Sequence, residues 1–261
     1  MIGRALAGLI LAGALAMAAR ATRSLSRGGA TMALLVGTAA AAAGWGWAFL
    51  LIVFFIASTG LSRFRRAAKE ARVGSIVEKG DERDAWQVLA NGGVFAASAL
   101  VAAATGGSGW EAMALGALAG ATADTWATEI GTLAGRAPRS VVSLKPMPAG
   151  TSGGITLPGT IASLAGAALI AVVAQQAGIA QVNPGAVFAG GVAGSLGDSL
   201  AGATVQERRW CDGCASATER RVHDCGKPTR VSGGIRGARN DAVNLVCTLV
   251  GGVVAVLLSH Q

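Results

Sequence analysis

The stretch Gly116–Gly131, GALAGATADTWATEIG, sets two carboxylates, Asp124 and Glu129, inside a run that otherwise reads as membrane-spanning. A carboxylate in hydrocarbon is expensive, so its default reading is a functional site lining a polar cavity. The pattern occurs again at Gly190–Ala201, GGVAGSLGDSLA, where Gly190, Ala193, Gly194, Asp198 and Ala201 repeat the spacing of Gly116, Ala119, Gly120, Asp124 and Ala127. Asp124 therefore has a counterpart in Asp198, and Glu129 has none. Asp124 and Thr128 share one helix face while Thr125 and Glu129 share another, roughly 100° away, so Glu129 does not automatically join Asp124 on one wall.

The rest of the chain keeps the same character. Of 261 residues, 52% are hydrophobic and 14% charged, which excludes a soluble domain with a large core. The composition predicts an all-α, polytopic membrane helix bundle, residues 1–261 forming one domain. Apolar runs fall at 2–19, 29–43, 45–61, 85–104, 110–134, 151–175, 184–206 and 240–258, each near the roughly 20 residues a bilayer crossing needs. About eight spans are expected, within a range of six to eight, the short Ala-rich second run being the weakest. Trp45, Trp47 and Trp110 lie near span ends, where interfacial aromatics belong.

The formal charge of +8 does not point to a nucleic-acid partner, because the basic residues sit in short segments between apolar runs. With eight spans and both termini outside, the cytosolic segments are 20–28, the charged loop 62–84, 135–149 and the Cys/His/Arg-rich loop 207–239. They hold all of the 22 Lys and Arg residues except Arg4, as a multi-pass protein of the cytoplasmic membrane should. Residues 2–19 also fit a signal peptide ending at Ala16-Met17-Ala18, but cleavage would leave Arg20, Arg23 and Arg27 on the wrong side. In this topology Asp124, Glu129 and Asp198 occupy the cytosolic halves of the fifth and seventh spans, and Asn240, Asp241 and Asn244 open the eighth.

Glycine adds a second regularity. Asn91-Gly92-Gly93-Val94, Ser152-Gly153-Gly154-Ile155 and Ser232-Gly233-Gly234-Ile235 occur at, or just before, the fourth, sixth and eighth spans. This reads as a tandem hairpin duplication, spans four and five followed by six and seven, with a partial third unit. With 39 glycines in the chain, chance recurrence is the plainer alternative.

Asp124, Asp198 and Asp241, from neighbouring helices, offer hard oxygen ligands for Mg²⁺ shared with nucleotide phosphates. The plainer alternative is helix-to-helix hydrogen bonding between isolated polar residues. The segment Pro148–Thr156, PAGTSGGIT, follows Lys145, and its backbone N–H groups at Thr151, Ser152, Gly153 and Gly154 suit a phosphate, although a simple helix entrance explains it too and the Walker ending is absent. Cys211, Cys214, His223 and Cys225, spaced CxxC and HxC, suit a structural Zn²⁺ site in a reducing compartment, with free thiols in a turn as the alternative. A single residue separates His223 from Cys225, and an extended strand would aim the two apart. Cys247 reads as packing in the last span. The arginines around the cysteine loop either meet triphosphates or anionic lipid or merely set topology. No nucleophile, base and acid triad is evident.

ADTWATEIG, PAGTSGGIT, GSLGDSLAGATVQ and HDCGKPTRVSGG followed by NDAVNL together resemble the membrane phytyl-phosphate kinase family of the vitamin E pathway and its bacterial relatives, over about Ser24 to Leu249. The resemblance implies transfer of a phosphoryl group from a nucleoside triphosphate, CTP or ATP, to a prenyl or phytyl monophosphate. On it, Asp124 and Asp198 are expected to hold Mg²⁺, Asp241 metal or nucleotide, and Glu129 to serve as metal ligand or general base. Asn91, Lys145, Thr151 to Gly154, Asn240 and Asn244 are expected to bind substrate or nucleotide. Two rival readings are a transporter of lipid or isoprenoid phosphates and a cytidylyltransferase acting on a lipid phosphate.

Overall fold

The computed structural model describes residues 1–73, 76, 82–179 and 182–259. The remaining parts of the 62–84 and 175–183 connections, and the C-terminal residues His260 and Gln261, lie outside the described residues.

Every predicted apolar run contains a long helix: α1 (Ile2–Ala21), α2 (Arg27–Ala43), α3 (Trp45–Arg63), α5 (Ala85–Thr105), α6 (Ser108–Leu133), α7 (Leu157–Gln176), α8 (Pro184–Thr204) and α9 (Asn240–Ser259). The charged 62–84 loop adds a short amphipathic helix, α4 (Arg66–Val73). Local chemistry fixes the starts. Ser26 caps α2 by accepting the Gly29 N–H, Asp84 and Gln87 form a reciprocal capping box on α5, and Thr156 caps α7 ahead of Pro158.

Two expectations need correction. The sixth helix begins at Leu157 rather than 151, because residues up to Thr156 are held in a small antiparallel pair, β1 (Arg139–Ser140) with β2 (Gly154–Ile155). The chain is also not purely helical. The 207–239 segment folds as a three-stranded sheet of order β4-β3-β5, from β3 (Arg208–Cys211), β4 (Ser216–Thr218) and β5 (Arg230–Gly233).

Five helices, α1, α3, α5, α7 and α9, are long and apolar enough to cross a membrane. The others depart for visible reasons. α2 has 17 residues, and α6 and α8 carry the carboxylates together with runs of Gly, Ser and Thr. α6 is the central helix, packed on α3, α5, α7, α8 and α9, and it is buried without a break from Ala114 to Ala123. The outward faces of α1, α7 and α9 expose Ile10, Leu157 and Leu257, the surface a lipid-facing helix presents.

Small residues make the close packing, as they do where lipid removes any hydrophobic drive between helices. A Cβ built on Gly116 or on Gly190 would lie 2.3 or 2.5 Å from the same atom, the Gly251 carbonyl oxygen of α9. A Cβ on Gly120 or Gly194 would lie 3.2 or 2.7 Å from the Cys247 carbonyl oxygen. Equivalent glycines of the two sequence copies, on α6 and α8, thus meet equivalent points on α9, as a duplication of the α5–α6 and α7–α8 hairpins would require. The Asn91-Gly92-Gly93 copy is different in kind. It lies within α5, where Gly92 faces Val36, whereas Gly153 and Gly234 are outside helices with φ of +82° and +74° and both abut the end of α8.

Trp45 and Trp110 are exposed near helix ends, as expected of interfacial aromatics, but Trp47 is buried and packs edge-on against Phe95. One end of the bundle gathers the basic loops. Ser26 pairs with Arg83, Lys69 of α4 reaches Glu129, Gly150 abuts Val73, and Glu207 pairs with Ala238. Cys247, correctly read as packing, is buried against Gly120.

Candidate functional site

One turn from the Gly120–Gly194 crossing toward the polar end, α6 and α8 carry Asp124 and Asp198, and the two carboxyl groups meet side chain to side chain. Both also lie near Cys247 of α9. A hydrogen bond between two carboxyls needs a proton held between them, and a divalent cation satisfies the same pair with charge on both oxygens. Asp198 Oδ2 is buried with no hydrogen-bond partner among the described residues.

A loop packs against the last turn of α8, beyond Asp198. Gly153, in the left-handed region, lets the backbone lie against Ala203, where any Cβ would come within 2.6 Å of the Ala203 nitrogen. The adjacent Ser152 hydroxyl donates to Glu219 Oε1 at 2.5 Å, and the Gln206 amide donates to the same oxygen at 3.0 Å. Glu219 follows β4 and is close enough to act electrostatically on Asp198. Thr151 Oγ1 and Gln206 Oε1, next to these contacts, are likewise buried without hydrogen-bond partners. The paired Asp124 and Asp198 carboxyls offer hard oxygen donors, which suit Mg²⁺. Asp124 and Asp198 are the residues that would hold it, with Glu219 adding negative charge that Asp198 feels. Glu219 escaped the sequence reading because it sits in a basic loop 21 positions after Asp198 with no motif of its own. Asp124 and Asp198 stand out by lying in apolar runs and by the repeat, and Glu219 has neither signal.

The structure sorts the remaining expected residues. Glu129 is not at the aspartate pair. It forms an ion pair with Lys69 and accepts from the Ser62 hydroxyl at 2.6 Å, and Lys69 also donates to the Leu61 and Ser62 carbonyls. Paired with a buried ammonium, this carboxylate serves as an anchor, here for α4. Asn244 is buried on α9 one turn beyond Cys247, with Asp241 and Asn240 a further turn toward the helix start. Lys145 is exposed and contributes its backbone carbonyl to Ser140; Asn91 lies half-buried in α5 beside Ala90, whose carbonyl accepts from Thr248 of α9.

Two basic clefts lie at the same end. One is lined by Arg63, Arg66 and Arg83 with Ser24, Thr59 and Ser62, and burial lowers the Arg83 guanidinium while Glu129 opposes that shift. The other is lined by Arg209, Arg221 and Arg236 with Glu207. The Gly237 N–H, then the Arg209 guanidinium, hold Glu207 below the usual carboxylate range, and the pairing of Glu207 with 237–238 ties the base of the β-sheet segment shut.

In that segment Cys211, Cys214, His223 and Cys225 converge, their sulfur and ring-nitrogen atoms all within 4.8 Å of one another. His223 and Cys225 are not on an extended strand. They lie in a turn closed by His223 N–H to the Lys227 carbonyl and by the Val222–Pro228 bridge, so both side chains reach one point. The Lys227 N–H and then the His223 ring bring the Cys225 thiol down to about 6, and the Cys225 sulfur pushes Cys214 up to about 11.

A family described as integral membrane protein DUF92 matches residues 10–252. The chain is 29% identical to Protein PGR of Arabidopsis thaliana over 271 aligned residues, covering 93% of this chain and 91% of the plant protein. It is 33% identical to an uncharacterised membrane protein of Methanocaldococcus jannaschii, covering 80% of this chain and 74% of that one. A Synechocystis membrane protein is 30% identical over 63% of this chain and 65% of its own length. No solved structure matches.

Proposed function

The chain belongs to the integral membrane protein DUF92 family and is a multi-pass membrane protein, and from that premise we propose that it is a membrane-embedded lipid-phosphate kinase. The substrate is a prenyl or phytyl monophosphate, the donor CTP or ATP, and the product the lipid diphosphate. All eight long helices cross the cytoplasmic membrane in this reading, with the basic end facing the cytosol.

The observation that carries the reading is the Asp124–Asp198 pair, with Asp198 Oδ2 buried and unpartnered among the described residues and Glu219 acting on Asp198, toward the end of the bundle where the basic loops gather. Phosphoryl transfer requires positioning and neutralisation of charge more than a protein nucleophile. The attacking oxygen belongs to the lipid monophosphate. It bonds to the terminal phosphorus of the triphosphate as the bond from that phosphorus to the bridging oxygen breaks, and the nucleoside diphosphate leaves. Mg²⁺, when bound, neutralises phosphate oxygens. Asp124 and Asp198 hold that charge in place, the 151–154 backbone orients phosphate, and arginines of the adjoining clefts meet the rest of the polyphosphate. The lipid tail lies along the apolar helices with its head at the basic end.

Purified protein in detergent, given a prenyl monophosphate, Mg²⁺ and either CTP or ATP, should yield lipid diphosphate and nucleoside diphosphate. Failure to form lipid diphosphate with either nucleotide would overturn the reading. Release of pyrophosphate would identify cytidylyl transfer instead, and movement of lipid phosphate across vesicles without turnover would identify a transporter.

A further inference from the structure

We propose that Cys211, Cys214, Cys225 and His223, through Nδ1, bind one Zn²⁺ that organises the 207–239 segment and thereby positions Glu219. The distances carry the assignment. Tetrahedral zinc with Zn–S near 2.3 Å and Zn–N near 2.0–2.1 Å requires sulfur–sulfur edges of about 3.8 Å and sulfur–nitrogen edges of about 3.6 Å. Cys211 and Cys225 sulfurs are 3.7 Å apart, and His223 Nδ1 is 3.4 Å from the Cys225 sulfur. A disulfide would need the sulfurs at about 2.05 Å and would leave Cys214 and His223 without a role.

The far side of the ring is provided for as well. His223 Nε2 lies 3.4 Å from the Ser216 hydroxyl, a partner for the N–H that a ring bound through Nδ1 must carry. Three thiolates and a neutral imidazole around Zn²⁺ leave one negative charge, among Arg220, Arg221, Lys227 and Arg230. The thiols release their protons to solvent as the metal enters.

The segment has a reason to need a metal. Within 207–239 the buried residues are Glu207, Cys211, Thr218 and Thr229, so there is no apolar core to hold three short strands together. The metal would join the end of β3 and the turn after it, which supply Cys211 and Cys214, to the 222–228 turn, which supplies His223 and Cys225. β4 and Glu219 lie between these two, and Glu219 reaches back to Ser152. The binding of zinc is independent of the phosphoryl-transfer reading; only the consequence for Glu219 rests on it.

Protein purified in detergent under reducing conditions and freed of loose metal should contain about one zinc per chain by elemental analysis. Cobalt exchanged into it should give thiolate charge-transfer bands and the intense visible bands of a tetrahedral site. Cys214 and Cys225, both exposed, should resist alkylation until a strong chelator is added. Cys214→Ser and Cys225→Ser should lose the zinc, while His223→Cys and Cys247→Ser should retain it. Wild-type protein that takes up no zinc, with thiols alkylated equally fast with and without it, would overturn the proposal, as would a Cys211–Cys225 disulfide in the reduced preparation. These measurements read metal and not turnover, so their failure would leave the kinase reading standing, and a zinc-loaded protein without activity would do the reverse.

Discussion

Gly120 and Gly194 bring α6 and α8 into backbone contact: a Cβ built on Gly194 would lie 3.1 Å from the Gly120 Cα and 2.7 Å from the Cys247 carbonyl oxygen. Neither obstacle is a flexible side chain, so an added methyl must push a helix. Gly194→Ala should therefore destabilise by about 1–3 kcal/mol, the range for overpacking a tight core. Gly116→Ala, aimed at the Gly251 oxygen at 2.3 Å, should cost at least as much, and Gly120→Ala, whose Cβ would sit 3.2 Å from the Cys247 oxygen, should cost less. Gly60 has no heavy atom within 4 Å of its virtual Cβ, so Gly60→Ala should be neutral or gain up to about 1 kcal/mol from helix propensity. Thermal unfolding in detergent checks the order; equal effects at Gly194 and Gly60 would show that the crossing is looser than described.

The same crossing dictates how the aspartates respond to metal. Asp124 and Asp198 face each other and nothing among the described hydrogen bonds satisfies Asp198 Oδ2. We expect Asp124→Asn and Asp198→Asn each to lower phosphoryl transfer about 10²–10³-fold, the usual loss when a preorganised charge-stabilising group is removed. Stability should move the other way: with metal chelated, each amide variant should melt at or above the wild-type temperature, since an amide can donate to the remaining carboxylate. Mg²⁺ should raise the melting temperature of the wild type and of neither variant. A variant stabilised by Mg²⁺ as much as the wild type would remove the pair from the metal site.

Glu129 offers a test that separates anchoring from catalysis. Its carboxylate and the Lys69 ammonium are about four-fifths and nine-tenths buried, and loss of one partner strands the other. Glu129→Gln should cost up to about 3 kcal/mol of stability, at the low end of breaking a buried pair, with the turnover number at saturating substrate reduced less than tenfold. Lys69→Met combined with Glu129→Met should recover part of the lost stability, because the stranded charge is gone. A hundredfold loss of turnover in well-folded Glu129→Gln would restore Glu129 as a base.

How much of this was legible beforehand follows from what periodicity encodes. The helices could be read because each run is apolar for nearly a bilayer's thickness, and Asp124 and Asp198 because they are carboxylates in such runs at the same offset from repeated glycines. The Cys/His cluster was legible as composition, but its geometry depended on a turn at 222–228 that spacing alone does not specify. The role of Glu129 was not legible, because its partner Lys69 is 60 positions away on a helix that reads locally as charged loop. The repeat of Asn-Gly-Gly and Ser-Gly-Gly misled for a related reason: glycine inside α5 serves helix packing against Val36, while at 153 and 234 it serves a left-handed backbone.

Glu219 is the site residue for which no motif spoke, and its position makes a particular prediction. It accepts from Ser152 and Gln206 through one oxygen and acts on Asp198, so it belongs to the rim of the carboxylate pair rather than to its centre. Glu219→Gln keeps an oxygen for both donors and removes the charge. The Mg²⁺ concentration for half-maximal activity should then rise about tenfold, equivalent to roughly 1.4 kcal/mol of cation affinity, while kcat at saturating Mg²⁺ stays within a few-fold of wild type. Glu219→Ala, which also frees Ser152 and Gln206, should add a rise in KM for the nucleotide, because the 151–154 loop loses its tie to the sheet segment. A fall in kcat with unchanged Mg²⁺ dependence in Glu219→Gln would place this carboxylate outside the metal's reach and leave Asp124 and Asp198 to hold the charge with ligands from the substrate.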